Sequence, residues 1–318
     1  MSERILVTGC AGFIGGHILR RLIADGVDTV GVDDFSTGLR ENIAELEGRF
    51  HFVEGTLCDP QVSRRAVEGV TGIIHQAAIP AVPRSIDYPL TSFHSSIMAT
   101  VTLFSAAREA GVKRIIQAAS SSAYGDTEAL PNVETMAPKP LSPYAVGKLA
   151  QEYYAAASAR CFGIETISLR YFNVFGPRQN PKSEYAAVVP KFISLMLSGQ
   201  RPTIYGDGEQ CRDFTYVDNV VEANLAAIQH PGVFRGEVIN AARGESMTLN
   251  ELVRHLNAIL GTDIGPLYSP ARAGDIRRSQ ADISRAEKLL GFRAGIDVKE
   301  GLRRTVEYYR AVIRRVND

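Results

Sequence analysis

The chain lacks an excess of either charge and any long apolar run. Its 318 residues carry 35 Lys and Arg against 35 Asp and Glu, and charged residues make up 22% of the total. Nucleic acids and anionic membranes attract proteins through a basic surface, so this even balance predicts neither as a partner. No apolar segment reaches the roughly 18 residues of a membrane span, and no membrane-spanning helix is predicted.

Cysteine is scarce, and the cysteines are far apart. Cys10, Cys58, Cys161 and Cys211 form no Cys-x-x-Cys pair. This spacing predicts free thiols, with neither a disulfide framework nor a zinc site, and no metal is expected. The first four residues lead directly into a strand-like run without the pattern of a secretory signal peptide. We therefore expect a cytoplasmic protein.

Short apolar runs alternate with longer helical patterns through the first half of the chain. The sequence predicts strands at residues 5–8, 29–32, 50–54, 72–76, 114–118 and 166–169, and helices at 13–24, 91–110 and 142–160. Ser142 is the predicted N-cap of the last helix, with Pro143 at its first position. This alternation predicts an α/β fold, a doubly wound parallel sheet with helices on both faces.

Three glycines at regular intervals follow the first strand. Gly9, Gly12 and Gly15 form a Gly-x-x-Gly-x-x-Gly pattern between a strand and a helix, which is the context of a dinucleotide site. Asp33 ends the second strand, where a carboxylate accepts hydrogen bonds from ribose hydroxyls and repels a 2′-phosphate. The pattern predicts NAD rather than NADP; the alternative is that the glycines form only a tight turn and that Asp33 and Asp34 cap a loop.

A second motif follows the fifth strand. Tyr144 and Lys148 are four residues apart, so they share one face of the predicted helix. A lysine ammonium and a cationic nicotinamide favour the phenolate of a tyrosine, whose ordinary pKa of about 10 makes it a poor base. Ser120 is predicted at the C-terminal end of strand five, where open α/β sheets bind their ligands. The alternative interpretation is that the serine run beginning at Ser120 is an ordinary polar loop.

The pattern of the sequence changes beyond about Tyr171. Gly and Pro become frequent, the helices shorten, and arginines cluster at residues 272, 277 and 278. We expect residues 1–172 to form the NAD-binding Rossmann domain and residues 173–318 the substrate-binding portion. Residues 237–241 are a predicted strand, so a segment near 215–242 is expected to return to the larger domain.

Five motifs resemble those of one known family, in the same order. TGCAGFIG, HQAA at residues 75–78, SSSAYG, YAVGK and LRYFNVFGPRQ resemble the extended short-chain dehydrogenase/reductases, and within them the NAD-dependent nucleotide-sugar epimerases. The likeness runs from about residue 4 to 300. It implies an isomerase that oxidises the sugar at one carbon, turns the 4-keto sugar over and reduces it again on the other face.

The resemblance assigns roles to particular residues. Tyr144 takes the proton of the sugar hydroxyl, Ser120 holds or relays it, and Lys148 tunes Tyr144 and holds the nicotinamide ribose. The implied NAD-binding residues are Gly9, Gly12, Phe13, Ile14, Gly15, Asp33, Asp34, Thr56, Leu57, Ala77, Ala78, Tyr144 and Lys148. The implied substrate-binding residues are Ser120, Ser121, Ser122, Tyr144, Asn173, Val189, Tyr205, Arg212, Arg272, Asp275 and Ser279.

The substrate residues imply a UDP-sugar. In the family, the counterparts of Asn173, Arg212 and Arg272 contact the diphosphate, where two cations suit two phosphates. The counterpart of Tyr205 stacks on uracil, and that of Asp275 lies by the uridine ribose. Ser279 corresponds to a gate beside the sugar, where a small residue leaves room for a 2-acetamido group. UDP-glucose and UDP-N-acetylglucosamine are therefore both expected substrates.

Three departures from the family pattern and three other functions are weighed against this assignment. Thr56 stands in place of a common Asp beside the adenine, Ser96 in place of a frequent Asn, and Cys10 at a variable site in the glycine loop.

A 4,6-dehydratase would need an Asp-Glu pair directly after Ser120, where this chain has two serines. A UDP-glucuronate epimerase or decarboxylase stays open, as does a non-catalytic NAD-sensing protein, since a fold does not establish a function.

The resemblance also implies a homodimer. Members of the family pair through two helices of each subunit, for which residues 91–110 and 142–160 are the candidates. The apolar residues Leu149, Tyr153 and Ala157 lie on one face of the second helix. The sequence fits an interface or a core equally well.

Overall fold

Seven parallel strands form the main sheet of the protein. The computed structural model describes residues 3–80, 82–181, 187–271 and 276–317, with side chains as far as residue 314. All the strands of the described residues, including those outside the main sheet, are β1 Arg4–Thr8, β2 Asp28–Asp33, β3 His51–Glu54, β4 Gly72–His75, β5 Arg114–Ser120, β6 Glu165–Tyr171, β7 Val174–Phe175, β8 Thr203–Tyr205, β9 Cys211–Arg212, β10 Thr215–Tyr216, β11 Glu237–Ala241, β12 Met247–Thr248 and β13 Leu267–Ser269.

Helices connect most of these strands. They are α1 Phe13–Ala24, α2 Pro60–Ala66, α3 Val82–Asp87, α4 Pro89–Phe93, α5 Ala99–Glu109, α6 Pro143–Phe162, α7 Val188–Leu197, α8 Val217–Ile228, α9 Leu249–Leu260, α10 Ser284–Leu290 and α11 Val298–Asn317. A π-helical turn, His94–Met98, joins α4 to α5 without a break. Ser142 caps α6 by accepting a hydrogen bond from the amide of Ala145, and Pro143 is the first helical residue, as predicted.

The order of the strands places a binding crevice in the middle of the sheet. The order is β11-β6-β5-β4-β1-β2-β3, and every pair in it is parallel. The sequence of strands reverses direction between β1 and β4, and open sheets of this kind bind ligands at the C-terminal ends of the strands beside such a reversal. The predicted Rossmann-type fold is confirmed, and the predicted strand at 237–241 pairs with β6 at the edge of the sheet.

Both faces of the sheet are buried under helices. In β1, Ile5 and Val7 belong to one apolar cluster with residues of α1 and α8, whereas Leu6 belongs to a second cluster with residues of α2 and α5. Successive residues of a strand point to opposite faces, so a strand that is apolar at every position must be covered on both sides. The run of apolar residues in each predicted strand has this cause.

A third apolar cluster holds the second half of the chain together. It combines residues of α7, α9 and α11, among them Ile193, Leu252 and Leu302. Phe13 and Ile14, in the first turn of α1, pack against this cluster. The first turn of α1 therefore lies where the sheet domain meets the remaining portion.

Several elements differ from the sequence prediction. The strands predicted at 114–118 and 166–169 extend to Ser120 and Tyr171, because pairing in the sheet continues through their buried polar residues. The helix predicted at 91–110 begins two residues earlier, at Pro89, and ends at Glu109. The helix α2 was not predicted, although Asp59 caps it by accepting from the amide of Gln61 and Pro60 begins it, a pattern visible in the sequence.

Candidate active site

A cavity of about 1170 Å³ lies at the C-terminal ends of the central strands. All the residues predicted to bind NAD line it. The glycine loop forms one wall. Gly9 has a φ of +64°, and a Cβ atom on Gly15 would lie 2.1 Å from the carbonyl oxygen of Gly9. The glycines thus permit the tight turn and let α1 approach the loop, as the dinucleotide motif requires.

The N-terminus of α1 offers unpaired N–H groups to this cavity. Among the described residues, no side chain caps this helix end, and no acid lies in its first turn. The first N–H groups of a helix and its dipole together attract phosphate. Phe13 and Ile14, at this end, line the cavity.

Asp33 closes the same cavity from β2. Its two carboxylate oxygens accept hydrogen bonds from the amides of Ala11 and Phe35, each at 2.9 Å. Burial raises the pKa of Asp33, and these two hydrogen bonds lower it. The carboxylate therefore joins the glycine loop to the loop after β2 and keeps further lone pairs for a ribose, as the sequence predicts for NAD.

A buried hydrogen-bond chain fixes the end of β4. Thr8 Oγ1 accepts from the amides of Gln76 and Ala77 at 3.1 and 3.0 Å, so its own hydroxyl donates to His75 Nδ1 at 2.7 Å. His75 Nε2 then donates to Thr100 Oγ1 at 3.0 Å. Burial, with the charge of Lys148 adding to it, lowers the pKa of His75 to about 3. A neutral histidine thus holds the HQAA segment against the cofactor cavity.

Tyr144 and Lys148 lie together at the start of α6. The amide of Tyr144 donates to Ser85 Oγ at 3.0 Å, and Lys148 Nζ donates to the carbonyl oxygen of Ala118 at 2.9 Å. Both side chains line the cavity. Lys148 is buried, and burial lowers its pKa to about 8, while the nearby Glu152 carboxylate acts in the opposite direction. Lys148 thus carries its ammonium at neutral pH and loses it in mildly alkaline solution.

Ser120 connects Tyr144 to the serine run. Its Oγ accepts from Ser122 Oγ at 2.9 Å, and its hydroxyl lies near the phenol of Tyr144. Burial raises the pKa of Tyr144, and the nearby Ser120 hydroxyl lowers it. The phenol therefore needs a further positive charge before it can act as a base near neutrality.

The predicted substrate residues are more scattered. Asn173 is exposed, has a left-handed backbone (φ 34°) and donates from Nδ2 to the carbonyl oxygen of Asp213. Val189 is buried in the third apolar cluster and does not line the cavity. Tyr205 ends β8 and is half-buried. Arg272 and Asp275 lie outside the described residues.

Arg212 and Ser279 lie on the same side of a short ribbon. Cys211 pairs with Arg278 in a parallel bridge, and both line a smaller surface cavity of about 400 Å³. Side chains alternate along extended chain, so the following residues, Arg212 and the buried Ser279, point to the other side. Long-range pairing therefore brings two predicted substrate residues together from positions 67 residues apart.

Some residues that line the large cavity were not predicted. They are polar or charged, and several follow the end of a strand: Gln76, Arg84, Arg178, Gln179, Asn180 and Lys191. Gln76 Nε2 donates to Tyr171 Oη at 2.9 Å. A signal was present for Gln76, directly after strand four, and for Arg178, close after the RYFN motif. Arg84 and Lys191 lie on helices and carried no signal.

The described residues contain neither a cluster of metal ligands nor a helix that could span a membrane. Within the described ranges, no three His, Cys, Asp or Glu side chains are grouped so that they could hold a metal ion. The same part of the chain contains no helix with the length and apolar character needed to span a membrane.

Known proteins share this fold and sequence over nearly the whole chain. A UDP-glucose 4-epimerase of Mycolicibacterium smegmatis is 38% identical over 311 residues, which are 96% of this chain and 98% of that protein. The crystal structure of UDP-glucose 4-epimerase with UDP-glucose from Thermotoga maritima has a TM-score of 0.93 at 37% identity, covering 98% of this chain and all of that one. UDP-N-acetylglucosamine 4-epimerase from Methanobrevibacter ruminantium M1, in complex with UDP-N-acetylmuramic acid, gives the same four values.

These comparisons confirm the predicted family, the NAD cofactor and the assignment of the chain as an isomerase. The glycine cradle, the uncapped N-terminus of α1 and the carboxylate of Asp33 all fit the dinucleotide. The NAD dependent epimerase/dehydratase family matches residues 5–242. With that match and relatives along its full length, this chain belongs to the NAD-dependent epimerase/dehydratase family.

Proposed function

We propose that this protein is a UDP-sugar 4-epimerase that interconverts UDP-glucose with UDP-galactose and UDP-N-acetylglucosamine with UDP-N-acetylgalactosamine. One geometric observation carries the proposal: Tyr144 and the buried Lys148 lie together at the wall of the cofactor cavity, and Lys148 Nζ donates to the carbonyl oxygen of Ala118 on the strand that ends at Ser120. This is the arrangement of a base, a proton-relaying hydroxyl and a cation. A non-catalytic NAD-binding protein would have no need for it.

In the proposed reaction, the chain's own residues move a proton and hold the sugar. Tyr144 Oη takes the proton of the 4-hydroxyl, and Ser120 Oγ stabilises the hydroxyl and later the ketone oxygen. When bound, NAD would supply the hydride acceptor for C4 and the donor for its return to the opposite face, so that no second substrate would be consumed. The Lys148 ammonium supplies positive charge near the phenol, which favours the phenolate.

The serines after Ser120 support epimerisation rather than dehydration. Ser121 and Ser122 begin a 3₁₀ turn, and the hydroxyl of Ser122 is hydrogen-bonded to that of Ser120. A dehydratase needs a general acid and a general base at this place to eliminate water, and neither hydroxyl can serve as one near neutrality. We assign the two serines to hydrogen bonding with the sugar.

We also propose the predicted division of the chain into an NAD-binding portion and a UDP-sugar-binding portion. Residues 1–172, with the returning segment near 215–242, would hold NAD, and the rest would hold the UDP-sugar. The proposed uridine diphosphate contacts are Asn173, Tyr205, Arg212, Arg272 and Asp275. Val189 would act only through packing, since it is buried away from the cavity.

Ser279 supports the acetamido sugars as substrates. Its side chain is small and buried, on the same side of the ribbon as Arg212. A hydroxymethyl group at the proposed gate leaves more space beside the sugar than an aromatic residue would. A solved relative at 37% identity is itself a UDP-N-acetylglucosamine 4-epimerase.

One observation favours UDP-glucuronate as an alternative substrate. Arg84 lines the cavity on α3, next to Ser85, whose hydroxyl accepts the amide hydrogen of Tyr144. An arginine at the wall of this cavity suits a carboxylate on the sugar. The alternative functions are a UDP-glucuronate 4-epimerase and a decarboxylase.

The exposed face of α3 to α6 supports the proposed homodimer. Six large apolar side chains there are exposed: Ile86, Tyr88, Leu90, Phe93, Val146 and Tyr153. Apolar surface of this extent on neighbouring helices is typical of an interface. The two helices expected to form the dimer, 91–110 and 142–160, contribute to this face.

The test of the proposed function compares three substrates in separate tubes. Purified protein with NAD is incubated with UDP-glucose, UDP-N-acetylglucosamine or UDP-glucuronate, and anomeric proton NMR identifies the products. We expect both neutral sugars to be epimerised and Tyr144→Phe to slow each reaction by about 10²- to 10⁴-fold. Ser279→Tyr should reduce turnover of the acetamido sugar by roughly 100-fold and spare UDP-glucose.

Each other outcome has a definite meaning. Conversion of UDP-glucose alone would refute the assignment of Ser279 and leave the mechanism in place. Conversion of UDP-glucuronate that is lost in Arg84→Met would establish the alternative. No conversion of any sugar by protein that binds NAD would contradict the proposed function.

A further inference from the structure

Arg178 has an unusual backbone and lies at the wall of the cofactor cavity. Its φ is +67°, in the left-handed region that residues with a Cβ atom rarely adopt. Only three described non-glycine residues have a positive φ, and the other two, Phe35 and Asn173, lie at the cavity or among the proposed substrate contacts. Strained backbone of this kind is often retained where it directs a side chain to a binding site.

The side chain of Arg178 crosses from the second half of the chain to the NAD-binding half. Its Nη2 donates to Glu45 Oε1 at 2.8 Å, and the same oxygen accepts from Arg20 Nε at 2.8 Å. The preceding residue, Pro177, is held by its carbonyl oxygen, 2.9 Å from His17 Nε2. His17 is one turn beyond Phe13, so Arg178 is anchored beside the first turns of α1.

The charges around this helix end favour an anion. Two guanidinium groups, Arg20 and Arg178, share one carboxylate, that of Glu45. Their positive charge adds to the burial that keeps His17 neutral. The dipole of α1 contributes further positive potential at its N-terminal turn, and no acid in that turn offsets it. Of the two arginines, only Arg178 lines the cavity.

We propose that Arg178 binds the pyrophosphate of NAD, as a guanidinium supplied by the substrate-binding half of the chain. The phosphates would lie between the N-terminus of α1 and this guanidinium, which has donors left after its contact with Glu45. The inference rests on the NAD cofactor of the family and is independent of which sugar is epimerised. The diphosphate of the nucleotide sugar has the same chemistry and is the competing ligand.

One consequence is a link between cofactor binding and the substrate-binding half. Arg178 lies five residues after Asn173, and its side chain would contact a ligand held mainly by the other half. Bound NAD would therefore stabilise the segment that carries the proposed substrate residue Asn173. A loss of Arg178 should weaken NAD binding without altering the proton-transferring residues.

The test measures dissociation constants for NAD, ADP, UDP and adenosine. We compare the wild type with Arg178→Met, Arg178→Lys and, as a charge-matched control, Arg21→Met on the outer surface of α1, by calorimetry and ligand-observed NMR. In Arg178→Met, NAD and ADP should bind about 10- to 100-fold more weakly, as expected for the loss of a charge-assisted contact. Adenosine and UDP should bind as before, Arg178→Lys should be intermediate, and Arg21→Met should match the wild type.

Three results would overturn the inference. Equal weakening of adenosine would show that the substitution damages the fold of the site. Weakening of UDP in place of ADP would assign Arg178 to the nucleotide sugar. Unchanged binding of all four ligands would show that the guanidinium serves only its ion pair with Glu45. None of these results depends on epimerase activity.

Discussion

Lys148 shows how one residue can serve the site at a cost to stability. It is buried, its ammonium donates to the carbonyl oxygen of Ala118, and burial lowers its pKa from 10.5 to about 8. Between pH 8 and 10.5 the unfolded chain therefore holds this proton more tightly than the folded protein. The contribution of Lys148 to stability therefore rises with pH across that window, by up to about 1.4 kcal/mol for each pH unit.

The rise of stability with pH that Lys148 causes can be tested with Lys148→Met, which has no titrating group at this position. The difference in free energy of unfolding between the variant and the wild type should shift in favour of the wild type by about 1–2 kcal/mol between pH 8 and pH 10. Urea denaturation of the NAD-free proteins at several pH values measures it. A constant difference across this range would show that burial does not destabilise the ammonium.

His75 is a residue whose role the sequence hid. The motif HQAA was visible, but the hydroxyl groups that pair with the two ring nitrogens of this histidine come from β1 and α5. The resulting chain from Thr8 to Thr100 satisfies both ring nitrogens and sets the position of Ala77 at the cavity. The motif predicted that the segment matters, and only the packing shows the reason.

At the scale of elements, the glycine loop and α1 form one unit. A Cβ atom at Gly15 would lie 2.1 Å from the oxygen of Gly9, whereas one at Gly16 would lie 3.2 Å from Arg20 Nη1 and 3.3 Å from the carbonyl oxygen of Cys10. We predict that Gly15→Ala weakens NAD binding at least about tenfold and lowers stability by about 1–3 kcal/mol. Gly16→Ala is the matched control.

Calorimetric titration with NAD and thermal unfolding test both glycine variants. Gly16→Ala should change NAD affinity little, because its helix also gains a better helix former. Equal NAD affinity in the two variants would contradict the close packing of α1 on the loop.

A buried ion pair joins α6 to β6 near the proposed catalytic residues. Arg170 donates to both oxygens of Glu152, at 2.9 and 2.8 Å, and both side chains are almost completely buried. Glu152 lies one turn after Lys148 and supports its ammonium. Removing one partner leaves an uncompensated charge in the core, which costs about 3–5 kcal/mol in comparable cases.

We therefore predict that Glu152→Gln lowers the free energy of unfolding by about that amount, and that Glu152→Gln with Arg170→Met is less destabilised than Glu152→Gln alone. The exposed pair of Arg40 with Glu54 supplies the control, since Glu54→Gln should cost about 0.5 kcal/mol or less. Denaturant titrations of the four proteins give the comparison. A similar cost for both single variants would refute the importance of burial.

At the scale of the whole molecule, the exposed apolar face of α3 to α6 is the feature on which the proposed homodimer depends. If a second copy covers this face, as we propose, Leu90→Asp with Tyr153→Asp should give a monomer that still binds NAD. Val233→Asp, at an exposed apolar residue away from this face, should remain dimeric. Analytical ultracentrifugation distinguishes the two, and a monomeric wild type at micromolar concentration would contradict the homodimer.

The sequence by itself determined whatever depends on local spacing. The alternation of strands and helices follows from the spacing of apolar residues along the chain, and the glycine turn, the cap at Ser142 and the shared helix face of Tyr144 and Lys148 follow from hydrogen bonds between residues a few positions apart. Each of these was predicted, and the structure agrees. Element ends were off by one or two residues where pairing in the sheet continued through polar side chains.

The tertiary structure alone decided which distant residues meet. The contact of Tyr144 with Ser120, the pairing of Glu237–Ala241 with β6, the shared side of Arg212 and Ser279, and the reach of Arg178 to Glu45 join positions 24 to 133 residues apart. Such contacts arise from the order of strands and the packing of side chains, for which local sequence carries no periodic signal. The chemistry of the site was therefore predictable in its residue types, and its assembly was not.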